Sequence, residues 1–126
     1  KKIKIMATLT AKLTLTSTNA TTDSLNLSVS DVLTTQEPSI NVARISISQS
    51  SATEILTTAQ ALRTYVYIKN TDATNFVKVL TAGGTAFGVL NPDEFMFFPL
   101  WPDTGFELQA DTAACVVEYG YWTKPA

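Results

Sequence analysis

The sequence of 126 residues contains no histidine and a single cysteine, Cys115. Without histidine, the commonest general acid–base and metal ligand is missing, and so is every nucleophile that a Ser–His or Cys–His pair would activate. One cysteine excludes an internal disulfide framework and a cysteine-rich zinc site within these residues. Cys115 lies in the apolar segment ACVVEYGYW, where we expect a small buried side chain. The sequence therefore predicts a protein that is not an enzyme and that has no catalytic residues, cofactor or metal.

Charge is also scarce, because only 16% of the residues are charged and the net charge is −2. An average soluble domain has roughly 25% charged residues. Lysines cluster only in the opening KKIK, and no basic face that would neutralise phosphate groups is present, so nucleic acid is not an expected partner. No stretch approaches the roughly 20 apolar residues that span a bilayer, and the apolar part of KKIKIMA is too short for a signal peptide. We expect a protein made in the cytoplasm, with no membrane partner and with part of its weakly charged surface covered in an assembly.

The pattern that is present has a period of two. In ATLTAKLTLTS, leucines and alanines alternate with threonines, and SLNLSVS repeats the alternation with Leu25, Leu27 and Val29. Such alternation is typical of strands with one face in water. TNATTD between them is rich in turn residues, so residues 9–30 are predicted to form a hairpin. The following DVLTTQEPS is predicted to be a loop.

The rest of the chain is divided by turns about every ten residues. INVARISIS changes phase, which predicts a β-bulge or a bend near Ala43 and Arg44. SSATEILTTAQALRT is predicted to hold a short strand or a helical turn, and TYVYIKN, which is apolar on both parities, a strand buried on both faces. Further strands are predicted in NFVKVL, TAFGVL, FMFFPL, FELQA and ACVVEYGYW. Eight to ten short strands predict an all-β antiparallel sandwich of the jelly-roll kind, over residues 9–126, preceded by an N-terminal arm at residues 1–8.

The acidic residues are predicted to be structural. Most of the eleven lie beside turns, where a carboxylate accepts hydrogen bonds from its own backbone. Glu107 and Glu118 alternate with apolar residues in strands, where they could face Lys69 or Lys78 across the sheet. A calcium site in KNTDATN would lack the spacing of an EF-hand loop, so no metal ligands are assigned.

The aromatic residues lie almost entirely in the second half and are the strongest candidates for a binding surface. FMFF is apolar on both parities, so one parity is expected in the core while the other needs a cover. Aromatic side chains with little charge around them are typical of protein–protein contacts, although exposed aromatics on a sandwich could equally stack on sugar rings. KKIKI alternates Lys with Ile and could add as a strand to a neighbour's sheet. The predicted interface therefore comprises Ile3, Ile5, Met96, Phe98, Trp101 and Trp122, with the two tryptophans as the alternative sugar-stacking platform.

Four segments together suggest a family: LTAKLTLTSTNATTDSLNLSVSDVLTTQEP, TYVYIKNTDATNFVKV, FGVLNPDEFMFFPL and ADTAACVVEYGYWTK. The chain resembles, from about residue 9 to 124, the small β-rich virion structural proteins of tailed bacteriophages, particularly of marine and cyanobacterial phages. No catalytic signature accompanies the resemblance. Met6 in MAT looks like a possible start, which would make KKIKI a short extension.

The resemblance implies a building block present in many copies on the virion. It implies a capsid cement (decoration) protein that oligomerises, as a homotrimer, and stabilises the major capsid shell from its outer surface. Its partners would be copies of itself and the major capsid protein or another virion protein. The alternatives are a tail, baseplate or fibre-adaptor subunit and, from a different class, a carbohydrate- or receptor-binding module.

Overall fold

The computed structural model describes residues 6–36 and 41–125, and these residues form antiparallel β-strands. The chain divides into two compact units, one up to residue 37 and the other over residues 38–124, and each is described by itself. Within the described ranges no helix has the length and apolarity that crossing a membrane would require. The prediction of an all-β protein is confirmed. The strands are β1 (Met6–Ser17), β2 (Leu25–Gln36), β3 (Ala43–Ile47), β4 (Thr53–Leu56), β5 (Thr64–Asn70), β6 (Val77–Thr81), β7 (Ala86–Leu90), β8 (Phe95–Leu100), β9 (Phe106–Ala110) and β10 (Cys115–Thr123).

The first unit is a two-stranded hairpin of β1 and β2. Its ladder is continuous from Met6 opposite Gln36 to Ser17 opposite Leu25. In the connection the Ser17 hydroxyl accepts the backbone N–H of Ala20 at 3.0 Å, an ST turn that starts the chain reversal. The predicted hairpin is confirmed but is longer than expected. Residues 6–8, expected in an arm, belong to β1, and residues 31–36, expected in a loop, belong to β2, where β-branched Val and Thr side chains favour the extended backbone.

The second unit is a sandwich of two four-stranded sheets, with strand orders β3-β10-β5-β8 and β4-β9-β6-β7. The pairing is nested: β6 pairs with β7, β5 with β8, β4 with β9, and β3 with β10. Two further ladders, β5 with β10 and β6 with β9, complete the sheets. An eight-stranded antiparallel hairpin folded over itself in this way is the jelly-roll arrangement, as the sequence predicted.

The core lies between the two sheets and is formed by alternate residues of the strands. β5 and β9 show the clean alternation expected when one face is buried. The prediction that TYVYIKN is buried on both faces is therefore wrong, because Tyr65, Tyr67 and Lys69 lie on the outer side and are only half-buried. Cys115 is fully buried, as predicted, and burial raises the pKa of its thiol. The largest fully buried side chains are Phe106, Ile47, Ile68, Leu108, Val66, Val77, Val79 and Val117.

The change of phase in INVARISIS has a simpler cause than the predicted bulge. β3 begins at Ala43, so Val42 precedes the strand, while Ile45 and Ile47 point into the sandwich. The register instead shifts between Glu54 and Leu56, opposite β9, and between Val79 and Leu80, opposite β7. SSATEILTTAQALRT forms the short strand β4, one of the two predicted alternatives.

Candidate functional site

The outer surface of the sheet β3-β10-β5-β8 carries a group of aromatic side chains. In β8, Phe95 and Phe97 alternate with the half-buried Met96 and Phe98 and are 61% and 40% exposed. Tyr65 and Tyr67 of β5 and Trp122 of β10 are half-buried on the same outer side. We refer to Tyr65, Tyr67, Phe95, Phe97 and Trp122 as the aromatic face.

The strand register arranges the aromatic face in rows across the sheet. Tyr65 lies between Trp122 on β10 and Pro99 on β8, and in the next row Tyr67 lies opposite Phe97. The rings of Tyr65 and Phe97 are nearly parallel, at 10°, with their centroids 6.2 Å apart. Neighbouring aromatic rings on adjacent strands stabilise the pairing and together form a continuous apolar surface.

Gly120 allows the Trp122 ring to lie flat across the sheet. A methyl group added at Gly120 would lie 3.1 Å from Trp122 Cη2 and 3.2 Å from Val42 Cγ2. Both distances are shorter than ordinary van der Waals contact, so the indole and the Val42 side chain occupy the space that any larger residue would need. The absence of a side chain at Gly120 thus positions Trp122 beside Tyr65.

A polar margin borders the aromatic face on one side. The Tyr67 hydroxyl donates a hydrogen bond to Glu118 Oε1 at 2.8 Å, and Arg44 Nε lies 3.5 Å from Glu118 Oε2. Glu118 also stands opposite Lys69 in the register, as predicted, with Phe95 next in the row. The carboxylate therefore holds Tyr67 in place, while Arg44, which is 65% exposed, adds little stability because solvent screens it.

Ionisation of Tyr67 is expected to occur unusually late. Burial, followed by the hydrogen bond to Glu118 and its charge, raises the pKa of Tyr67 from 10.0 to about 12. Because folding favours the protonated phenol, its contribution to stability is complete below about pH 10 and is lost as the pH rises through about 12. An absorbance titration of tyrosinate, made while the circular dichroism stays native, should show one late step. Tyr67→Phe should remove this step and Tyr119→Phe should retain it; a late step that survives Tyr67→Phe would contradict the assignment.

Trp101 extends the apolar surface beyond the end of the sheet. It follows β8 in a loop, is 72% exposed, and its ring centroid lies 5.9 Å from the Arg63 guanidinium carbon. Arg63 precedes β5, whose first residue, Thr64, pairs with Leu100 at the end of β8. The cation–π contact therefore forms one row beyond Tyr65 and Pro99, where it holds the indole near the strand ends.

The predicted interface residues are distributed over different environments. Ile3 and Ile5 lie outside the described residues. Met96 and Phe98 pack against the core, and Phe98 makes edge-to-face contacts with Phe87 and Phe106 at 6.2 and 6.1 Å. Trp122 belongs to the aromatic face and Trp101 lies beyond its end. The predicted interface does not include Tyr65, Tyr67, Phe95 and Phe97. For the two tyrosines a signal exists in Lys69, whose charge marks the outer parity of β5.

A shallow open groove of about 490 Å³ lies along the edge strands β7 and β8. Its acidic residues are Asp93 and Glu94, in the turn between those strands. Glu94 Oε1 accepts hydrogen bonds from the backbone N–H and the side-chain Nδ2 of Asn91, at 2.7 and 3.0 Å. The carboxylate thus closes the turn, as expected for acids beside turns. The groove is lined by Gly88, Val89, Leu90, Asp93, Glu94, Phe95 and Met96.

The turn in KNTDATN likewise uses its carboxylate internally. Asp72 Oδ2 accepts the backbone N–H groups of Asn75 and Thr74 at 2.7 and 2.9 Å, which lowers the pKa of Asp72. Over residues 6–36 and 41–125, no group of three or more Cys, Asp or Glu side chains could hold a metal ion.

Comparison of the chain with known protein families, with curated proteins and with solved structures found no match in any of the three.

Proposed function

We propose that this protein is a non-enzymatic structural protein of a virion, most specifically a capsid cement protein that stabilises the major capsid shell. The observation that carries the proposal is the aromatic face. Its exposed Phe95 and Phe97 lie beside Tyr65 and Tyr67 in the register and form an aromatic surface of the kind that is buried in protein–protein contacts. A tail, baseplate or fibre-adaptor subunit is the alternative within the same class.

The arrangement of the surface agrees with an assembly contact. Protein interfaces have an apolar core rich in Phe, Tyr and Trp, surrounded by a polar rim in which Arg is frequent. Here the aromatic side chains extend over β10, β5 and the edge strand β8, while Arg44, Glu118 and Lys69 lie in one row at the margin of the group. A fully buried aromatic side chain removes about 150–250 Å² from water, so a few such residues supply most of a contact's binding energy. The jelly-roll sandwich also occurs in viral capsid and lectin domains, which is an analogy at the level of fold only.

A capsid-binding measurement with matched phenylalanine variants tests the proposal. Phe97 on the aromatic face and Phe87 on the other sheet are exposed by 40% and 49%. Phe97→Ala should weaken binding to capsids that lack this protein by about tenfold or more, because it removes a central contact. Phe87→Ala should change binding by less than about twofold, after melting curves have shown both variants folded. Equal effects of the two substitutions, or wild-type protein that binds no capsid, would overturn the proposal.

A carbohydrate-binding module is the second candidate function. Two nearly parallel rings, Tyr65 and Phe97, lie beside the hydrogen-bonding groups of Tyr67, Glu118 and Arg44. A sugar ring could stack on the former and bond to the latter. A glycan array should then give hits that Tyr65→Ala abolishes and that Phe87→Ala leaves intact; an array without hits argues against this function.

A further inference from the structure

The hairpin, which precedes the strands of the aromatic face in the sequence, carries a second apolar surface. Alternation places Leu13, Leu15, Leu25, Leu27 and Val29 on one side of β1 and β2, near the turn that joins them. We refer to these five residues as the leucine face. We propose that the leucine face is a self-association surface, on which the hairpins of two copies of this chain pack face to face. The proposal does not depend on the virion role.

The register brings these side chains together and leaves them exposed. Leu13 lies opposite Val29 and Leu15 opposite Leu27, so both strands contribute to one patch. Leu13, Leu15, Leu27 and Val29 are 40–51% exposed. The other side of the same strands carries Thr, Ser, Asn and Lys side chains, with Val32 and Met6 as its exposed apolar residues. The hairpin thus has one apolar and one mainly polar face. This is the pattern of an antiparallel sheet that packs on one side and faces water on the other.

A two-stranded hairpin requires such a cover. An isolated hairpin is at best marginally stable in water, and stability usually needs three or more strands with a shared apolar face. β1 and β2 form a sheet of two strands only. A second hairpin packed about 10 Å above the first would supply the missing layer and create a small four-stranded core.

The chemistry of the leucine face favours a second copy as that cover. Residues 13–17 and 25–29, LTLTS and LNLSV, contain no charged side chain, so two copies meet without repulsion and a charged partner would find no counter-charge. Asp31, opposite Ala11 on the same side, marks the end of the uncharged patch. When one face packs on its own copy about a twofold axis, both copies are covered at once.

The size of the patch predicts a weak contact. Five partly exposed aliphatic side chains present on the order of 300 Å² of apolar surface per copy. Two such faces bury about half of the 1,200 Å² that marks the lower limit of standard interfaces. Self-association through this surface is therefore expected at high protein concentration or where many copies are held close together.

Matched valine variants test the leucine face by sedimentation velocity. Protein concentrations up to about 1 mM are needed because the expected contact is weak. Val29 lies on the leucine face and Val32 on the opposite side, with exposures of 51% and 63%. Val29→Lys should raise the dissociation constant by at least about tenfold, because two ammonium groups would meet in the contact. Val32→Lys should leave it within about twofold. Wild-type protein that stays monomeric over this range, or equal effects of the two variants, would overturn the proposal.

Thiol cross-linking gives a second measurement that does not rely on disrupting the hairpin. Because the only native cysteine, Cys115, is fully buried, a short bismaleimide should react chiefly at an engineered surface cysteine. Leu15→Cys should yield covalent dimers and Thr16→Cys, on the polar side, should not; equal yields would overturn the proposal. Phe97→Ala should leave the Leu15→Cys dimer unchanged. Protein with native Phe97 that forms the Leu15→Cys dimers but binds no capsid would count against the virion role alone, and protein that binds capsids but forms no such dimers would count against this inference alone.

Discussion

Replacing Gly105 with alanine is expected to destabilise the sandwich by about 3–5 kcal/mol, the range of exceptional single substitutions. Gly105 has φ = 67°, a left-handed conformation that costs an L-residue roughly 1 kcal/mol or more. An added Cβ would also lie 2.7 Å from the Leu56 carbonyl oxygen and 3.0 Å from the Thr57 carbonyl carbon. These are backbone atoms, so rotation of a side chain cannot relieve the clash.

The position of Gly105 explains why the effect should spread. It directly precedes Phe106, which is fully buried and pairs with Leu56 where the register of β4 and β9 shifts. Two residues earlier, the backbone N–H of Asp103 donates to the Gln60 carbonyl at 2.8 Å, so this loop is attached to the segment that follows β4. A larger residue at 105 would push β9 from β4 and loosen the packing of the Phe106 ring.

Gly84 is the matched control, because it has φ = 91° but no heavy atom within 4 Å of an added Cβ. Gly84→Ala should therefore lower the free energy of unfolding by about 1 kcal/mol, the cost of the backbone strain alone. Urea unfolding of the three proteins, analysed at a common m-value, measures both changes. Equal losses for the two alanine variants would show that the contact with Leu56 and Thr57 is not the cause.

Asn70→Ala is expected to cost about 2–4 kcal/mol, since three backbone groups lose their partner and the buried one, the Leu90 carbonyl, alone accounts for about 1–3 kcal/mol. Asn70 is fully buried, and its Nδ2 donates to the carbonyls of Asn75 and Leu90 at 2.9 and 3.0 Å. Its Oδ1 accepts the backbone N–H of Asp72 at 2.9 Å. One side chain thus fixes the turn after β5 to the end of β7.

The same unfolding experiment with Asn91→Ala supplies the comparison. Asn91 is exposed and its side chain bonds to Glu94 within one turn, so its loss should cost about 0.5–1 kcal/mol. Asn70→Asp should also be strongly destabilising, because a carboxylate cannot donate to the two carbonyls. An Asn70→Ala variant as stable as Asn91→Ala would refute the role assigned to Asn70.

Much of the fold could be predicted because alternation and turn residues identify strands locally. The hairpin and the division of the second half by turns followed from such patterns, as did the burial of Cys115, and the strand β4 was one of the two alternatives predicted for its segment. The parity of β8 could not be read from FMFF, since four apolar residues in succession fit the core in either phase. The buried partner of Asn70 is equally invisible in sequence, because Leu90, twenty residues away, approaches it only in the folded sandwich.

Local sequence patterns predicted only part of the candidate surface. The position of Trp122 near the end of the chain predicts an exposed residue, and Trp122 belongs to the aromatic face. For Tyr65 and Tyr67 the sequence predicts a strand buried on both sides, because their aromatic rings are as apolar as core residues. Only the second sheet, which packs on Val66 and Ile68, decides which parity remains outside. A surface built from residues of three strands depends on register, which local pattern does not reveal.

The nested pairing of the sandwich has a consequence for how the chain acquires its structure during synthesis. β6 and β7 meet across a short turn, and each later pair, β5 with β8, β4 with β9 and β3 with β10, closes a longer loop than the one before. The entropy of closure rises with each step, so the order of least cost runs from the innermost pair outward. β3 leaves the ribosome first among the sandwich strands, yet its partner β10 leaves last. Until then Ile45 and Ile47 have no sheet to join, and the nascent chain must keep this apolar edge from other chains.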